Sequence, residues 1–306
     1  MEKKDFVIDN NPYDLGKDVY KKHHDVREVH PLLLKIILEL DRVCRKNNIP
    51  YALSFGSALG IVNYGGFIPW DDDMDVAIDY FDIPRLVEAL RNDLSEEFSF
   101  DCYEDNKRFN VMIPTFKIRY KNSYIKETYW YNLPNRCKNG DGIFIDIVAF
   151  MGVPEDKEEH YKLIKFSKRR MVGYIALDAY LRIHPYKMKK KLKDFEAKVA
   201  NEYKDSPMVS QTVIIPFQDW AEKKANLSYP RGVIYPFREY DFEGHKLFSF
   251  NKVEEFCRLC YGEKCLKRIE KCLKRIENGE WVDPLPMEKR NAKHNLTYNL
   301  YSKDKK

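Results

Sequence analysis

The sequence, 306 residues long, predicts an α+β fold in which helices flank a mixed β-sheet. Three observations predict this class. Helical and strand periodicities follow one another along the chain. Compact apolar segments are bounded by Gly, Asn, Asp or Pro, as strands usually are. The resulting order of helix, strand, helix, strands and helices is typical of mixed α/β and α+β domains.

The order of the elements follows from these patterns. Apolar residues recur at helical spacing from Val29 to Cys44, and Asp25 with Glu28 forms a capping box before them. The other expected elements are strands at 51–55 and 76–78, a helix from 82, strands within 98–129 and at 143–150, helices within 155–205, a hairpin at 240–250 turning at Glu243-Gly244, and a helix at 252–261.

We divide the chain into three regions. Residues 1–24 form a polar lead-in, residues 25–205 the core domain, and residues 206–306 a C-terminal extension that packs on the core. Prolines become frequent beyond residue 206, which marks the boundary. We expect the extension to be mainly helical.

The charge balance excludes some classes of protein. Lysine and arginine number 53 against 48 acidic residues, a formal net charge of +5. This mild excess argues against a dedicated nucleic-acid binder and is compatible with phosphate-bearing substrates. The first nine residues are rich in charge and lack the apolar region of a signal peptide, and no apolar stretch approaches the length of a membrane span. We therefore expect a cytoplasmic protein with reduced cysteines.

One segment is duplicated: KCLKRIE at 264–270 recurs unchanged at 271–277. Its apolar positions form a stripe at heptad spacing, and its other faces are rich in lysine and arginine. Two interpretations remain open. The segment is either a peripheral contact with anionic lipid at the inner face of the membrane, or a helix that packs on the body with a solvated basic face.

A glycine–serine turn and a run of aspartates carry the chemistry. Gly56-Ser57 follows a predicted strand, where a glycine lets a phosphate approach the backbone and a following helix directs its first amides at the same anion. Asp73 and Asp75 are separated by one residue. On a strand they therefore project to one side, while Met74 and Val76 face the core. Two carboxylates on one face suit a hard divalent cation.

Asp146 supplies a third acid from a separate apolar strand. A lone carboxylate between Ile145 and Ile147 is costly to bury unless it is paired or bound to metal. If its strand lies beside that of Asp75, three carboxylates converge, as two Mg²⁺ or Mn²⁺ ions in phosphoryl transfer require. The alternative is that the four aspartates within 71–75 form an exposed acidic loop.

These motifs resemble a known family. Gly56-Ser57, the run at 66–75 (GFIPWDDDMD) and the FIDI segment at 144–147 are similar to the LicD family, phosphocholine-transferase-like proteins of the nucleotidyltransferase fold superfamily. Weaker likeness covers about residues 30–262 and includes Lys117 and Tyr261-Gly262. One departure is Asn63-Tyr64, because relatives commonly carry Arg-His there.

The resemblance implies a CDP-alcohol donor, typically CDP-choline, and a glycan hydroxyl as acceptor, with CMP leaving. Asp73, Asp75 and Asp146 would then be the catalytic residues and hold Mg²⁺ or Mn²⁺. The expected substrate contacts are Gly56, Ser57, Trp70, Asp72, Lys117 and Trp130. Trp70 and Trp130 are also candidates for an aromatic cage around a quaternary ammonium, although packing roles are an alternative.

Two further hypotheses remain open on the sequence. The first keeps the fold and changes the chemistry to transfer of ribitol- or glycerol-phosphate from its CDP derivative, or of a nucleotidyl group from a nucleoside triphosphate. The second is a non-catalytic protein that binds glycan or nucleotide. Retention of all three acids favours an enzyme.

Overall fold

The structure, a computed structural model, describes residues 29–68, 71–107, 109, 116–121, 123–126, 142–175, 177, 185–213, 228–263 and 297–300. The helices within these residues are α1 (His30–Lys46), α2 (Phe55–Tyr64), α3 (Ile83–Asp93), α4 (Lys157–Ile175), α5 (Tyr186–Glu202), the short α6 (Arg231–Ile234) and α7 (Val253–Tyr261). The strands are β1 (Tyr51–Leu53), β2 (Asp75–Asp79), β3 (Phe98–Cys102), β4 (Phe116–Tyr120), β5 (Ser123–Lys126), β6 (Phe144–Gly152), β7 (Met208–Gln211), β8 (Tyr229–Pro230), β9 (Arg238–Phe242), β10 (His245–Ser249) and β11 (Thr297–Leu300).

The main sheet is mixed and has nine described strands. Seven strands pair in the order β3-β4-β6-β2-β1-β10-β9. In addition, β7 pairs with β6, and β8 pairs with β7. Strands β2 and β6 are parallel, as are β1 and β10, and the other pairs are antiparallel. A separate two-stranded sheet joins β5 to β11. The mixed sheet flanked by helices confirms the predicted fold class.

The two faces of the sheet bury different side chains, as strand alternation requires. On one face, Val76 and Ile78 pack with the apolar stripes of α1 and α3. On the other, Ala77 and Val148 pack with residues of α2, α6 and α7. The side chain of Asp75 lies on the second face, two residues before Ala77. The acidic end of β2 is therefore next to α2.

The predicted elements recur with shifted ends. Helix α1 begins at His30, and the proposed capping residues Asp25 and Glu28 lie outside the described residues. The strand predicted at 51–55 ends at Leu53, because Phe55 has a φ of +43°, which interrupts the extended chain. The hairpin turning at Glu243-Gly244 is confirmed, with both residues at positive φ.

The C-terminal region differs from its expected helical character. Its described part contributes strands β7 to β10 to the main sheet, and only the short helix α6 and the nine-residue α7. The cause is the β9–β10 hairpin, which pairs with β1 inside the sheet. The duplicated segment at 264–277 lies outside the described residues. None of the helices in the described part of the chain is long and apolar enough to cross a membrane.

Candidate active site

Two of the three acids singled out in the sequence are direct neighbours. Asp75 begins β2 and is the register partner of Asp146 on parallel β6, so that both side chains lie on the same face. The Asp146 amide donates to the Met74 carbonyl at 2.9 Å, which fixes this register. Both side chains are partly exposed. The carboxylate pair is therefore accessible to solvent and to a ligand.

Asp73 lies two residues before β2, in an acidic loop. Met74 and Val76 are buried in the core, as the alternation predicts. Ligand oxygens of Asp71, Asp72 and Asp73 all lie within 4.8 Å of one another. Asp72, expected to contact substrate, is itself buried. Carboxylate oxygens are the ligands that Mg²⁺ and Mn²⁺ prefer, so the donor set here fits such an ion.

The acidic loop is fixed from both sides. His30 at the start of α1 donates from Nε2 to the Asp71 carbonyl at 2.7 Å and stacks on Phe67 at 4.3 Å between ring centroids. The Phe67 amide donates to Oε1 of Glu243 at 2.9 Å. The Glu243 amide in turn donates to the Gly65 carbonyl at 2.9 Å. These contacts join residues far apart in the chain, and no local pattern could have identified His30 or Glu243.

The turn from β1 into α2 lies against the same acids. Gly56 and Ser57 occupy the first turn of α2, and the Asp75 amide donates to Oγ of Ser57 at 3.0 Å. The Ser57 hydroxyl can still donate its own proton to an anion. A Cβ on Gly56 would lie 2.7 Å from Oδ2 of Asp71. A side chain at position 56 would therefore displace the Asp71 carboxylate where the helix meets the acidic loop.

The left-handed backbone of Phe55 sets the direction of this turn. Bulky residues rarely adopt a positive φ, and such strain persists only where the surroundings hold it. The Phe55 ring packs 6.1 Å from the ring of Phe150 and 6.0 Å from that of Phe256. Aromatic packing thus holds the amino end of α2, with its partial positive charge, beside the carboxylates.

Lys117 is buried beside the acid pair. It lies on β4 directly opposite Asp146, and its Nζ is 2.9 Å from Oδ1 of that residue. The same ammonium lies 3.1 Å from the ring centroid of Phe144. Lys117 therefore forms an ion pair with an acid of the site and does not lie on a solvated face of the strand.

Tyr261 reaches the site from the end of α7. This helix packs on α2 through Phe256. Burial raises the pKa of the Tyr261 hydroxyl well above its usual value, and the negative charges of Asp75 and Asp71 raise this pKa further. The phenol therefore stays protonated beside the acids and can donate a hydrogen bond. The sequence showed only that Tyr261-Gly262 follows a helix.

Some expected site residues lie outside the described part of the chain, namely Trp70 and Trp130. Asn63, where the resemblance to the LicD family implies an arginine, donates from its side-chain amide to the Leu59 carbonyl at 3.0 Å. Its side chain therefore hydrogen-bonds to its own helix.

The acids of the site lie within a stretch that matches a family model. Residues 48–174 match the family model described as LicD/FKTN/FKRP, nucleotidyltransferase domain. The resemblance to the LicD family seen in the motifs is therefore confirmed over these residues. The matched stretch contains β1, α2, β2, β4 and β6, and so every described acid of the site.

Curated relatives extend this similarity. The chain is 25% identical to the lipopolysaccharide cholinephosphotransferase LicD of Haemophilus influenzae, over 78% of this chain and 90% of that protein. A shorter stretch is 36% identical to an uncharacterised protein of Rickettsia prowazekii, over 19% of this chain and 22% of that protein. An uncharacterised protein of Rickettsia typhi matches at 35% identity over 24% of each chain.

Proposed function

We propose that this protein is a metal-dependent transferase that moves phosphocholine from CDP-choline to a hydroxyl of a cell-surface glycan or its precursor, with release of CMP. The observation that carries the proposal is the register pair of Asp75 and Asp146 beside the first turn of α2. The lipopolysaccharide cholinephosphotransferase named above supports the choice of phosphocholine and of a glycan acceptor.

The proposed roles follow from the geometry. Asp75 and Asp146, together with Asp73, would hold one or two divalent cations. Such cations would neutralise charge on the donor phosphates. The first amides of α2 and the Ser57 hydroxyl donate to the same phosphates. These donors orient the diphosphate so that its phosphocholine half faces the acceptor.

The transfer itself breaks one bond and makes one. The bond between the phosphorus of phosphocholine and the bridging oxygen breaks, and CMP leaves with that oxygen. A new bond joins the phosphorus to the acceptor oxygen, and Asp146 accepts the proton of the acceptor hydroxyl. The Tyr261 hydroxyl, whose pKa is raised by burial and then by nearby negative charges that include Asp75, is a further hydrogen-bond donor for the site.

A second donor is supported by one observation. The resemblance implies an arginine at position 63, and Asn63 instead hydrogen-bonds within α2. If that arginine distinguishes choline from other alcohols, its loss favours CDP-ribitol or CDP-glycerol in this protein. The acids and the turn would act on these donors in the same way, because the transferred phosphate is common to all.

The experiment is a thermal-shift matrix on the full chain. CDP-choline, CDP-ribitol, CDP-glycerol, CTP and ATP are each tested with and without Mn²⁺. A ligand at 100 times its Kd stabilises the folded state by about 2.7 kcal/mol, which a melting curve resolves. We expect stabilisation by CDP-choline only when Mn²⁺ is present. Stabilisation by a nucleoside triphosphate alone, or by no nucleotide, would contradict the proposal.

Variants make the result specific to the site. Asp75→Asn keeps the size of the side chain and removes its charge, so that the Mn²⁺-dependent shift and turnover should both be lost. The matched control is Asp241→Asn, because Asp241 is exposed on the hairpin and pairs with Lys246 at 2.8 Å. This control should behave like the wild type.

A further inference from the structure

Charged side chains form a row across four adjacent strands. Asp101 on β3 is the register partner of Lys117 on β4, Lys117 of Asp146 on β6, and Asp146 of Asp75 on β2. Register partners in a sheet share a face, so all four side chains lie on the side of the acidic site. The row thus extends from Asp101 at the sheet edge to the pair of Asp146 and Asp75, where a cation would bind.

Two ion pairs involve residues of this row. Arg119 pairs with Asp101 at 3.3 Å between Nε and Oδ2, and both side chains are almost fully buried. Lys117 pairs with Asp146 at 2.9 Å. A cation that enters between Asp75 and Asp146 therefore meets a carboxylate that already has an ammonium partner.

We propose that Lys117 is the internal counter-ion of Asp146: its ammonium competes with the divalent cation for this carboxylate and turns to the donor phosphates when cation and donor bind together. This inference rests on the proposed function. It assigns to Lys117 a positioning role that couples the two ligands.

The competition follows from burial and charge. A buried ammonium is stabilised by its partner, and the Phe144 ring adds a cation–π contact. When a divalent cation takes an oxygen of Asp146, Lys117 is left beside a like charge in a region of low dielectric constant. The diphosphate of the donor supplies a new anionic partner, and the four-carbon stem of lysine allows the ammonium to reach it. Binding of cation and donor therefore favour each other.

A purely structural ion pair would behave differently. In that case loss of Lys117 would lower the stability of the fold. The affinity for cations, with and without donor, would be the same as in the wild type. The affinity for Mn²⁺ measured without donor separates these two roles, because it involves no turnover.

The test is Mn²⁺ titration of the full chain, followed by electron paramagnetic resonance, with and without CDP-choline. Without donor, Lys117→Met should bind Mn²⁺ at least about tenfold more tightly than the wild type, because the competing charge is gone. With CDP-choline, the affinity of the wild type for Mn²⁺ should rise, and that of Lys117→Met should rise much less. Lys117→Gln is a second neutral variant, used if Lys117→Met does not fold.

Two further variants complete the test. Lys117→Arg keeps the charge and should bind Mn²⁺ like the wild type. Lys35→Met removes one charge from the surface, where Lys35 pairs with Glu97 at 3.0 Å, and should also leave Mn²⁺ affinity unchanged. Neutral variants at 117 that bind Mn²⁺ no more tightly than the wild type overturn the counter-ion role.

The same titration distinguishes this inference from the proposed function. One outcome is that the neutral variants bind Mn²⁺ more tightly but no variant responds to CDP-choline. This outcome supports competition at Asp146 and excludes CDP-choline as the donor. Absence of Mn²⁺ binding in the wild type and in every variant removes the metal requirement of the proposed function, and the counter-ion role with it.

Discussion

Asp75 and Asp146 lie directly opposite each other on the parallel strands β2 and β6, although 70 residues separate them in the chain. Between them in the chain, α3 packs on one face of the sheet, and β4 and β3 extend the sheet on the side of β6 away from β2. The Asp146 amide bonds to the Met74 carbonyl, so a shift of one residue would turn Asp146 into the opposite, apolar face. The register of this strand pair therefore determines the acidic site.

Loss of the Asp146 charge should destabilise the fold through Lys117. Asp146→Asn leaves a nearly buried ammonium without its carboxylate, which costs about 2–3 kcal/mol after allowance for the partial exposure of Asp146. The double variant Asp146→Asn with Lys117→Met should regain most of this free energy of unfolding, measured in urea. It should remain inactive, because the acid is absent. An Asp146→Asn protein as stable as the wild type would contradict the ion pair.

A methyl group at position 56 should disturb the site more than the fold. Gly56→Ala places a Cβ 2.7 Å from Oδ2 of Asp71 and displaces that carboxylate. The cost is offset in part because alanine favours a helix over glycine by about 1 kcal/mol. We expect a small change in the free energy of unfolding and a roughly tenfold loss of donor affinity, or about 1.4 kcal/mol.

Gly232→Ala is the control for this change, because among the described residues nothing beyond its chain neighbours and its own helix lies within 4 Å of a Cβ built there. Donor affinity, measured by calorimetry in the presence of Mn²⁺, should be unchanged in this variant. Equal affinities in Gly56→Ala and Gly232→Ala would show that the close contact with Asp71 is unimportant.

The carboxylate of Glu243 should support the acidic loop from a distance. Glu243→Ala leaves the Phe67 amide without its acceptor, which costs about 1–2 kcal/mol in the free energy of unfolding. Glu243→Gln keeps a carbonyl oxygen that can accept this hydrogen bond, so it should retain most of the stability. Hydrogen exchange at Phe67 measures the effect locally. Equal protection in the two variants would argue against this role.

Stability should fall in mild acid because of His160. Burial lowers the pKa of this imidazole from 6.5 to about 4. The unfolded chain then binds a proton below pH 6.5 that the folded protein does not, so the free energy of unfolding decreases as the pH falls from 6.5 to 4. Between pH 7 and pH 5 the contribution is about 2 kcal/mol.

His160→Leu should remove this part of the pH dependence, as measured by urea unfolding at the two pH values. Among the described residues, Nε2 of His160 has no hydrogen-bond partner, so the substitution leaves no described group unsatisfied. His245→Gln, on the exposed side of β10, is the control. A pH dependence in His160→Leu equal to that of the wild type would contradict the assignment.

The sequence could predict local features of the site but not its assembly. Asp75 and Asp146 were identifiable because each stands at or within an apolar strand. Their adjacency depends on the parallel pairing of β2 with β6, which side-chain periodicity does not specify. His30 and Glu243 reach the acidic loop through hydrogen bonds spanning 41 and 176 residues, and no local pattern encodes such contacts.

The predicted ends of some helices and strands also differed from those in the structure. Phe55 looked like the last residue of a strand because phenylalanine favours extended structure. Its left-handed φ is stabilised by Phe150 and Phe256, which are distant in sequence. The β9–β10 hairpin was predictable from Glu243-Gly244, but its pairing with β1 was not. From local composition, the hairpin was therefore predicted to belong to the C-terminal extension.

The most direct test of the account is the position of a bound cation in crystals grown with Mn²⁺ and CDP-choline. Anomalous scattering locates Mn²⁺ independently of any assumption about its ligands. The account predicts a peak within coordination distance, about 2.0–2.3 Å, of carboxylate oxygens of both Asp75 and Asp146. A peak that contacts only Asp71, Asp72 and Asp73, with Asp146 still paired to Lys117, would contradict it.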